Sequence, residues 1–208
     1  MVEDQSYPRV KKFFFVFIFI LSFSKANSEN FKFIKIANLN NPWGSSFLNN
    51  DEMIITEKSG LIKIVNIINN QVNDVEHNLN FLEDGQGGLL DILHQENKVW
   101  ISYTENRGNR KTSTSIALAN LDKKNLVFKN IFQANPPINS GYHFGSRLAI
   151  KDNYLFASAG ERGKGMIAQD ASKHPGSIIR IHLDGSIPND NPKFDGKPDW
   201  LPEIYQIG

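Results

Sequence analysis

Two glycine-rich stretches each place one polar side chain directly ahead of an apolar run. Gly141-Tyr-His-Phe-Gly145 carries His143, and Gly85-Gln-Gly-Gly88 carries Gln86. Glycine accepts positive φ and lets another backbone or a ligand approach closely. A histidine fixed in such a turn can act as a general base near neutral pH. The residue types therefore make His143 a candidate base, with Gln86 as a candidate neighbour.

Purely structural interpretations exist for the same residues. A lone histidine in a turn is more often a hydrogen-bonded structural residue than a base. Gln86 can bond backbone groups in its own tight loop, because an amide side chain both donates and accepts. Asp91 and Asp170 are expected to bond turn amides. Three further histidines, His94, His174 and His182, do not have the mutual spacing of a metal site.

The elements that must position these residues read as short strands. After Ala26, apolar or alternating runs of about four to six residues recur between Asn, Asp, Gly and Pro, which is the pattern of strands and turns. The runs are Phe47-Leu48, Met53–Thr56, Leu61–Val65, Leu89–Leu93, Val99–Tyr103, Ser115–Ala119, Leu148–Ile150, Tyr154–Ala157 and Ser177–Ile181.

A repeat underlies these strands. Gly44, Gly88 and Gly145 each lead an apolar run, a polar turn and a second apolar run, and they lie 44 and then 57 residues apart. About four short strands at that period are typical of a propeller blade, which favours a β-propeller over an ordinary β-sandwich. The sequence therefore predicts an all-β fold in which residues 27–208 form roughly the first three to four blades.

Composition excludes several functional classes. Among 208 residues, 23 are Lys or Arg and 22 are Asp or Glu, so the formal charge of +1 gives no electrostatic basis for nucleic-acid binding. There is no cysteine, so neither a disulfide framework nor a thiolate zinc site is available.

The N-terminus has the pattern of a secretory signal. Basic residues precede the apolar run Phe13–Leu21, and Ser24-Lys25-Ala26 ends it with small residues at the first and third positions. We expect cleavage after Ala26 and a periplasmic or secreted product, with an uncleaved membrane anchor as the alternative. The apolar run is short for a membrane span, so no stable span is expected after cleavage.

Nine motifs occur in an order that resembles the soluble glucose/sorbosone dehydrogenase family, over about residues 38–208. The resemblance implies a six-bladed propeller that uses pyrroloquinoline quinone (PQQ) and calcium to oxidise an aldose sugar or related alcohol, with electrons passing to a periplasmic acceptor. The motifs are Asn41-Pro-Trp-Gly44, Ile55-Thr-Glu-Lys-Ser-Gly60, Gly85–Asp91, His143–Leu148, Gly160-Glu-Arg-Gly163, Ala168-Gln-Asp170, Gly176–Ile181, Asp184–Pro192 and Pro202-Glu-Ile-Tyr205.

The resemblance also implies site residues. His143 falls at the position of the family's general base, and Gln86 matches a side chain beside substrate and quinone. Arg147 would orient the loop or face the cofactor's carboxylates, although a salt bridge or interblade hydrogen bond is the structural alternative. Gln169 and Asp170 fall in a loop at the rim of the substrate pocket.

The sequence departs from the family pattern in three places. Glu161 stands where relatives often carry Asp, and the turn after Leu93 is short. Family members follow a segment like Glu203–Gly208 with His-Arg-Asn and later basic residues that hold the quinone, and with carbonyls that hold calcium. Most cofactor ligands are therefore expected beyond Gly208, and no metal ligand is assigned. We expect an N-terminal fragment that binds PQQ poorly and is inactive alone.

Two other functional classes stay open at this point. One is a non-enzymatic propeller that binds carbohydrate or protein. The other, a calcium-dependent lactone-hydrolysing propeller, is less supported because the sequence shows no cluster of Glu, Asn and Asp ligands.

Overall fold

The computed structural model describes residues 31–193, 196 and 199–208. It divides into two units, Met1–Ile34 and Lys35–Gly208, and all the strands described below belong to the second. The predicted signal peptide, residues 1–26, lies outside the described residues. Within those residues, no helix is both long and apolar enough to cross a membrane.

The regular structure of Lys35–Gly208 is almost entirely extended. Strand formation follows the alternation seen in the sequence, since one side chain in two is buried along much of β10 and β11. The described strands are β1 Pro42–Phe47, β2 Glu52–Glu57, β3 Leu61–Asn66, β4 Val72–His77, β5 Leu89–Gln95, β6 Lys98–Asn106, β7 Thr112–Asn120, β8 Asn125–Leu126, β9 Lys129–Gln133, β10 Gly145–Lys151, β11 Tyr154–Ala159, β12 Ser177–His182 and β13 Ile204–Ile207, with one 3-10 helix at Gly165–Gln169.

These strands form three successive sheets, each with antiparallel neighbours in chain order. Sheet 1 is β1-β2-β3-β4, sheet 2 is β5-β6-β7-β9, and sheet 3 is β10-β11-β12-β13. The two-residue β8 adds in parallel to the outer edge of sheet 1. The predicted repeat is thus confirmed, and the expected three to four blades are three sheets in the described part of the chain.

Two apolar layers hold the sheets together. Between sheets 1 and 2 pack residues such as Ile54 and Ile101, and between sheets 2 and 3 pack residues such as Trp100 and Leu155. The first strand of each sheet contacts the first strand of the next, β1 with β5 and β5 with β10. Sheets that meet along their first strands are arranged like propeller blades around an axis.

Every first strand carries a β-bulge at the same place. Two residues on the first strand oppose one residue on the second, and that single residue bears a hydroxyl group in all three sheets. A bulge bends the strand and leaves an unpaired amide, so each hydroxyl faces a group that needs a partner. The bulges lie between Pro42 and Ser45 opposite Thr56, between Leu89 and Ile92 opposite Ser102, and between Gly145 and Leu148 opposite Ser158.

In sheet 1 this hydroxyl links two sheets. Thr56 Oγ1 accepts a hydrogen bond from the bulged amide of Gly44 at 3.0 Å and donates to the carbonyl oxygen of Leu90 in sheet 2 at 2.5 Å. Thr56 is fully buried. We call this arrangement, a second-strand hydroxyl between its own bulge and the bulge of the next sheet, a hydroxyl staple.

Sheet 2 repeats the hydroxyl staple toward sheet 3. Ser102 Oγ accepts from the amide of Asp91 at 2.9 Å and donates to the carbonyl oxygen of Ser146 at 2.6 Å. Ser102 is also fully buried. The same two bonds therefore join each first strand to the next at the end of the sheets where the glycine turns lie.

Removing the first staple should destabilise the chain measurably. Thr56→Val keeps the shape but leaves the Gly44 amide and the Leu90 carbonyl buried without this partner, at a cost of about 2 kcal/mol or more in unfolding free energy. Thr56→Ser, which keeps the hydroxyl found at the equivalent positions, should cost about 1 kcal/mol or less. Urea denaturation of both variants measures the difference, and equal stability of Thr56→Val and wild type would contradict the staple.

Candidate active site

The two glycine turns predicted to carry the site are in direct contact. The amide of Gln86 donates to the carbonyl oxygen of Gly141 at 2.8 Å. Gly85 has φ +58°, and a Cβ there would lie 2.4 Å from that same carbonyl oxygen. A side chain at Gly85 would therefore force the turns apart, so the glycine is required by this close approach.

Gln86 fixes the backbone of the candidate base. Its Oε1 accepts a hydrogen bond from the backbone N–H of His143 at 2.9 Å. His143 has φ +49°, the left-handed conformation that few non-glycine residues adopt. Gln86 therefore does bond backbone, as its structural interpretation expects, and this bond brings the two candidate residues together. This hydrogen bond uses only the side-chain oxygen of Gln86.

The imidazole of His143 is oriented by a carboxylate. Its Nδ1 is hydrogen-bonded to Oε1 of Glu161, and the same oxygen accepts the amide of Gly163 at 3.0 Å. The His143 ring is the main cause that lowers the pKa of the Glu161 carboxyl, with the Gly163 amide adding to it. An ionised carboxylate can only accept, so Nδ1 carries a proton, and in the neutral imidazole Nε2 presents the lone pair. The His143 side chain is 54% exposed.

Arg162 ties the segment around His143 to sheet 2. Arg162 is 2% exposed, and its guanidinium donates to the Tyr142 carbonyl at 3.0 Å, to Thr112 Oγ1 at 2.8 Å and also to the Ser140 carbonyl. It stacks 3.6 Å from the centre of the Phe144 ring. Burial lowers the pKa of Arg162 to about 10, so the group stays cationic at neutral pH. Residues on both sides of His143 are thereby held in place.

Arg147 forms a salt bridge, which matches the structural alternative for this residue. Its Nη1 lies 3.2 Å from Oδ1 of Asp91, yet two thirds of its side chain is exposed. Asp91 bonds amides of strands β5 and β10 and not those of a turn, so the expectation that it bonds turn amides was wrong. It is a buried residue of β5 whose Oδ2 accepts the amide of Leu148 at 2.9 Å, and it thus links sheets 2 and 3 where both strands bulge.

Gln169 and Asp170 lie at the end of the 3-10 helix, beside an open cleft of about 400 Å³. The side-chain amide of Gln169 donates through Nε2 to the carbonyl oxygen of Gly208. Asp170 bonds the amide and hydroxyl of Ser172 and the ammonium of Lys173, and Lys173 is the main cause that lowers its pKa to about 2. No hydrogen bond or ion pair in the described part of the chain joins either residue to His143 or Gln86.

Sequence reasoning missed Glu161 and Arg162 as site residues. Glu161 was noted only as a departure from the family, and Arg162 was not considered. Their position in the sequence could have indicated a role in the site. Glu161 and Arg162 are two charged residues between Gly160 and Gly163, directly after the second strand of sheet 3. A Cβ on Gly160 would lie 1.9 Å from the carbonyl oxygen of His143, so this turn and the His143 turn must pack together.

One buried histidine, His174, is hydrogen-bonded on both ring nitrogens. Nδ1 of His174 accepts the amide of Asn135 at 3.0 Å, so its Nε2 carries the proton and faces Oε2 of Glu203 at 3.4 Å. The His174 ring is the main cause that lowers the pKa of Glu203. This histidine has a structural position between sheets 2 and 3.

The described region contains no group of three His, Cys, Asp or Glu residues that could hold a metal ion.

Comparisons with known proteins agree with this fold. The family model for glucose/sorbosone dehydrogenase matches residues 39–208. The aldose sugar dehydrogenase YliI of Escherichia coli is 32% identical over 180 residues, which cover 82% of this chain and 48% of that protein. The quinoprotein glucose dehydrogenase B of Acinetobacter calcoaceticus is 26% identical, over 89% of this chain and 46% of its own. The apo crystal structure of the Escherichia coli aldose sugar dehydrogenase superposes with a TM-score of 0.74 at 30% identity, covering 80% of this chain and 50% of that one.

Three bulged sheets that meet along their first strands, with this likeness, define the chain as part of a β-propeller. It spans about half the length of the curated relatives it matches. The chain belongs to the glucose/sorbosone dehydrogenase family.

The protonation of His143 can be measured directly. We expect ¹⁵N NMR of the imidazole in the neutral form to show a protonated Nδ1 and an unprotonated Nε2. Glu161→Ala should let the proton redistribute between the two nitrogens, because the acceptor for Nδ1–H is gone. His94, a half-buried residue near the end of β5 that lies away from the glycine turn, serves as the internal control. A proton on Nε2 in the wild-type chain would contradict the assigned orientation.

The Glu203–His174 pair predicts a component of acid sensitivity. Because the pKa of Glu203 is lowered on folding, the pair stabilises the protein above the ordinary carboxyl value of about 4.3, and this contribution is lost as pH falls through the folded value. Urea titrations at neutral and acid pH should show a smaller acid-induced loss of stability in Glu203→Gln than in wild type. An unchanged loss would exclude this carboxylate as a contributor.

Proposed function

We propose that this chain supplies the catalytic-base half of a PQQ-dependent aldose sugar dehydrogenase, with His143 as the general base. The observation that carries the proposal is the His143 imidazole itself. It is held at a left-handed backbone position by Gln86, oriented through Nδ1 by Glu161, and exposed, so that Nε2 of the neutral ring can accept a proton.

The chemistry of the exposed groups fits an anionic, carbonyl-bearing quinone. Oε1 of Gln86 is bonded to His143, which leaves the amide Nε2 as a donor for a carbonyl oxygen. The Arg147 guanidinium, two thirds exposed, has donors beyond the one directed at Asp91, and such donors suit carboxylates. The quinoprotein name of the Acinetobacter relative and the family resemblance support this cofactor class. When bound, the quinone would accept a hydride from the substrate carbon.

The residues of this chain would handle the proton. As the alcohol carbon becomes a carbonyl carbon, the hydroxyl proton moves to Nε2 of His143. The resulting imidazolium is paired through Nδ1–H with the Glu161 carboxylate, which stabilises the positive charge as it develops. Gln86 and Arg162 keep the His143 backbone from moving, so the base stays aimed at one place.

The described residues contain no group of three acidic or histidine side chains that could hold calcium. Calcium therefore enters the proposal only as a family expectation, with its ligands outside these sheets, and no step is assigned to it. Gln169 and Asp170 remain proposed rim residues for the sugar. Export with cleavage after Ala26, and electron transfer to a periplasmic acceptor, belong to the same proposal.

Substituting the base tests the proposal. The assay uses enzyme in which this chain is combined with the half of a relative's propeller that it does not match, together with PQQ, calcium and an aldose. In this enzyme, His143→Asn should lower the rate of dye reduction by about 10²–10⁴-fold. Asparagine tolerates the left-handed conformation that His143 adopts, so the turn is retained while the base is lost.

His94→Asn is the matched control, because His94 is a surface histidine bonded to the carbonyls of Phe47 and Glu96, and its rate should equal that of wild type. A His143→Asn enzyme with undiminished turnover would refute the general base. A wild-type protein that binds sugar without reducing the dye would favour the non-enzymatic binding propeller.

A further inference from the structure

The turn that carries Gln86 is held by a residue from the turn between β2 and β3. Lys58 directly follows β2, and its Nζ donates a hydrogen bond to the carbonyl oxygen of Gly85 at 2.8 Å. At the other end of the Gln86 turn, the backbone carbonyl of Lys58 accepts the amide of Leu89 at 3.2 Å. A Cβ on Gly88 would lie 1.9 Å from that carbonyl oxygen. Lys58 therefore contacts the Gln86 turn closely at both ends, once with its side chain and once with its backbone.

Lys58 is itself fixed in place. Its amide donates to the carbonyl oxygen of Asn41, just ahead of β1, at 3.1 Å. The neighbouring Glu57 is 1% exposed, and its Oε1 accepts the amide of Asn40 at 2.7 Å. The Lys58 ammonium also lies 3.5 Å from Oε1 of Glu83, and the lysine side chain is 25% exposed. The side chain thus starts from a bonded backbone, and its ammonium has two acceptors.

The carbonyl that Lys58 contacts belongs to the central peptide group of a tight turn. The amide of Gly87 donates to the carbonyl oxygen of Asp84 at 2.8 Å, which closes a β-turn. Gly85 has φ +58°, whereas Gln86 is not one of the described residues with a positive φ. This combination at the two central positions is typical of a type II′ turn.

The two sides of this central peptide group are bonded to different sheets. Its carbonyl oxygen accepts from Lys58 beside β2, and its N–H, which is the amide of Gln86, donates to the carbonyl oxygen of Gly141 ahead of β10. A trans peptide is planar, with its C=O and N–H on opposite sides, so the two bonds together hold one orientation of the group. Turning the group over, which converts a type II′ turn into type I′, would break both bonds and give Gln86 an unfavourable positive φ.

The orientation of this peptide group determines where the Gln86 side chain lies. Because its nitrogen is bonded to the Gln86 Cα, a reversed peptide changes φ of Gln86 and moves its Oε1 away from the N–H of His143. That hydrogen bond, at 2.9 Å, connects the turn to a His143 backbone with φ +49°. Lys58 is thus linked to His143 through one peptide group and one side chain, without touching it.

We propose that Lys58 is a positioning residue for His143, which selects the orientation of the Gly85–Gln86 peptide and so keeps Gln86 bonded to the His143 backbone. The role in turnover rests on the proposed function, because it requires His143 to be the base. Arg162 has the corresponding position for the His143 segment, since it follows β11 and donates to the carbonyl of Tyr142. Cations that follow the second strands of sheets 1 and 3 therefore hold the two glycine turns from opposite sides.

Amide hydrogen exchange in the full 208-residue chain tests the orientation without any measurement of activity. Lys58→Met keeps the apolar stem and removes the donor, and the amides of Gln86 and His143 should then exchange about tenfold faster because both of their bonds open more often. Loss of a nearby positive charge by itself slows base-catalysed exchange, so a purely electrostatic effect would have the opposite sign. Lys58→Arg, which keeps a charged donor, should restore most of the protection.

Lys63→Met is the matched control. Lys63 lies in β3 of the same sheet, and its Nζ donates to Oδ1 of Asp74 at 2.6 Å, so this variant removes a comparable lysine bond that does not involve the Gln86 turn. Exchange at Gln86 and His143 should equal that of wild type. Lys58→Ser, with a polar side chain too short to reach the Gly85 carbonyl, covers the case in which Lys58→Met does not fold, and the same tenfold rise is expected, on the order of one lost hydrogen bond.

Turnover in the assembled enzyme separates this inference from the proposed function. Lys58→Met should lower kcat for dye reduction by about tenfold and change the KM for the sugar by less than about twofold, because the base is misplaced while the sugar's own contacts remain. Lys58→Arg should recover the rate, and Lys63→Met should have the wild-type rate.

Three results would overturn the inference, and they are distinguishable from one another. Unchanged exchange at Gln86 and His143 in the folded Lys58→Met or Lys58→Ser chain would show that Lys58 does not orient the turn. Faster exchange with undiminished kcat, in an enzyme that His143→Asn inactivates, would show that the orientation has no catalytic effect. Faster exchange in an enzyme that stays active with His143→Asn would disprove the general base and, with it, the role of Lys58 in turnover.

Discussion

The rest of the structure depends on the bulge in the first strand of each sheet and on the hydroxyl that bonds it. A bulged strand has an amide that its neighbour cannot pair, and Thr56 and Ser102 satisfy that amide while also bonding the next sheet. Buried polar groups are costly unless they are paired, so these bonds fix the position of each sheet relative to the next at one point. That point lies at the sheet end from which the glycine turns extend.

The site follows from this constraint. Because β5 and β10 are held together at their bulges, the turns that precede them meet, and Gly85 contacts Gly141. Gln86 then reaches the backbone of His143 across the junction of two sheets, and Asp91 makes a second link at the same place. The charged residues of the site differ in their exposure to solvent. Buried Arg162 holds the loop, whereas Glu161 and His143 face solvent, where a substrate could reach them.

Much of the fold was predictable from sequence because the buried strands alternate strongly and the glycines that begin each repeat recur. The strand β4, Val-Asn-Asp-Val-Glu-His, was not recognised, because most of its side chains are exposed and its extended conformation comes from pairing with β3 and β8. Among the site residues, His143 and Gln86 were found from their turn chemistry. Glu161 and Arg162 were not, since their partners in the His143 segment are 18 to 22 residues away in sequence and come into contact only once β10 and β11 have paired. Asp91 was placed in a predicted strand, but its bond to the amide of Leu148 was not predicted, because a bulge inside a strand leaves no composition signal.

The central claim is that His143 presents an unprotonated Nε2 to a sugar hydroxyl beside a bound quinone. The most direct measurement is a crystal structure of the assembled enzyme with PQQ and a sugar in place. The account predicts that Nε2 of His143 lies about 3 Å from the reacting hydroxyl oxygen, with Nδ1 still bonded to Glu161 and Gln86 still bonded to the His143 amide. A quinone bound away from the two glycine turns, or a His143 ring turned so that Nε2 meets Glu161, would contradict it.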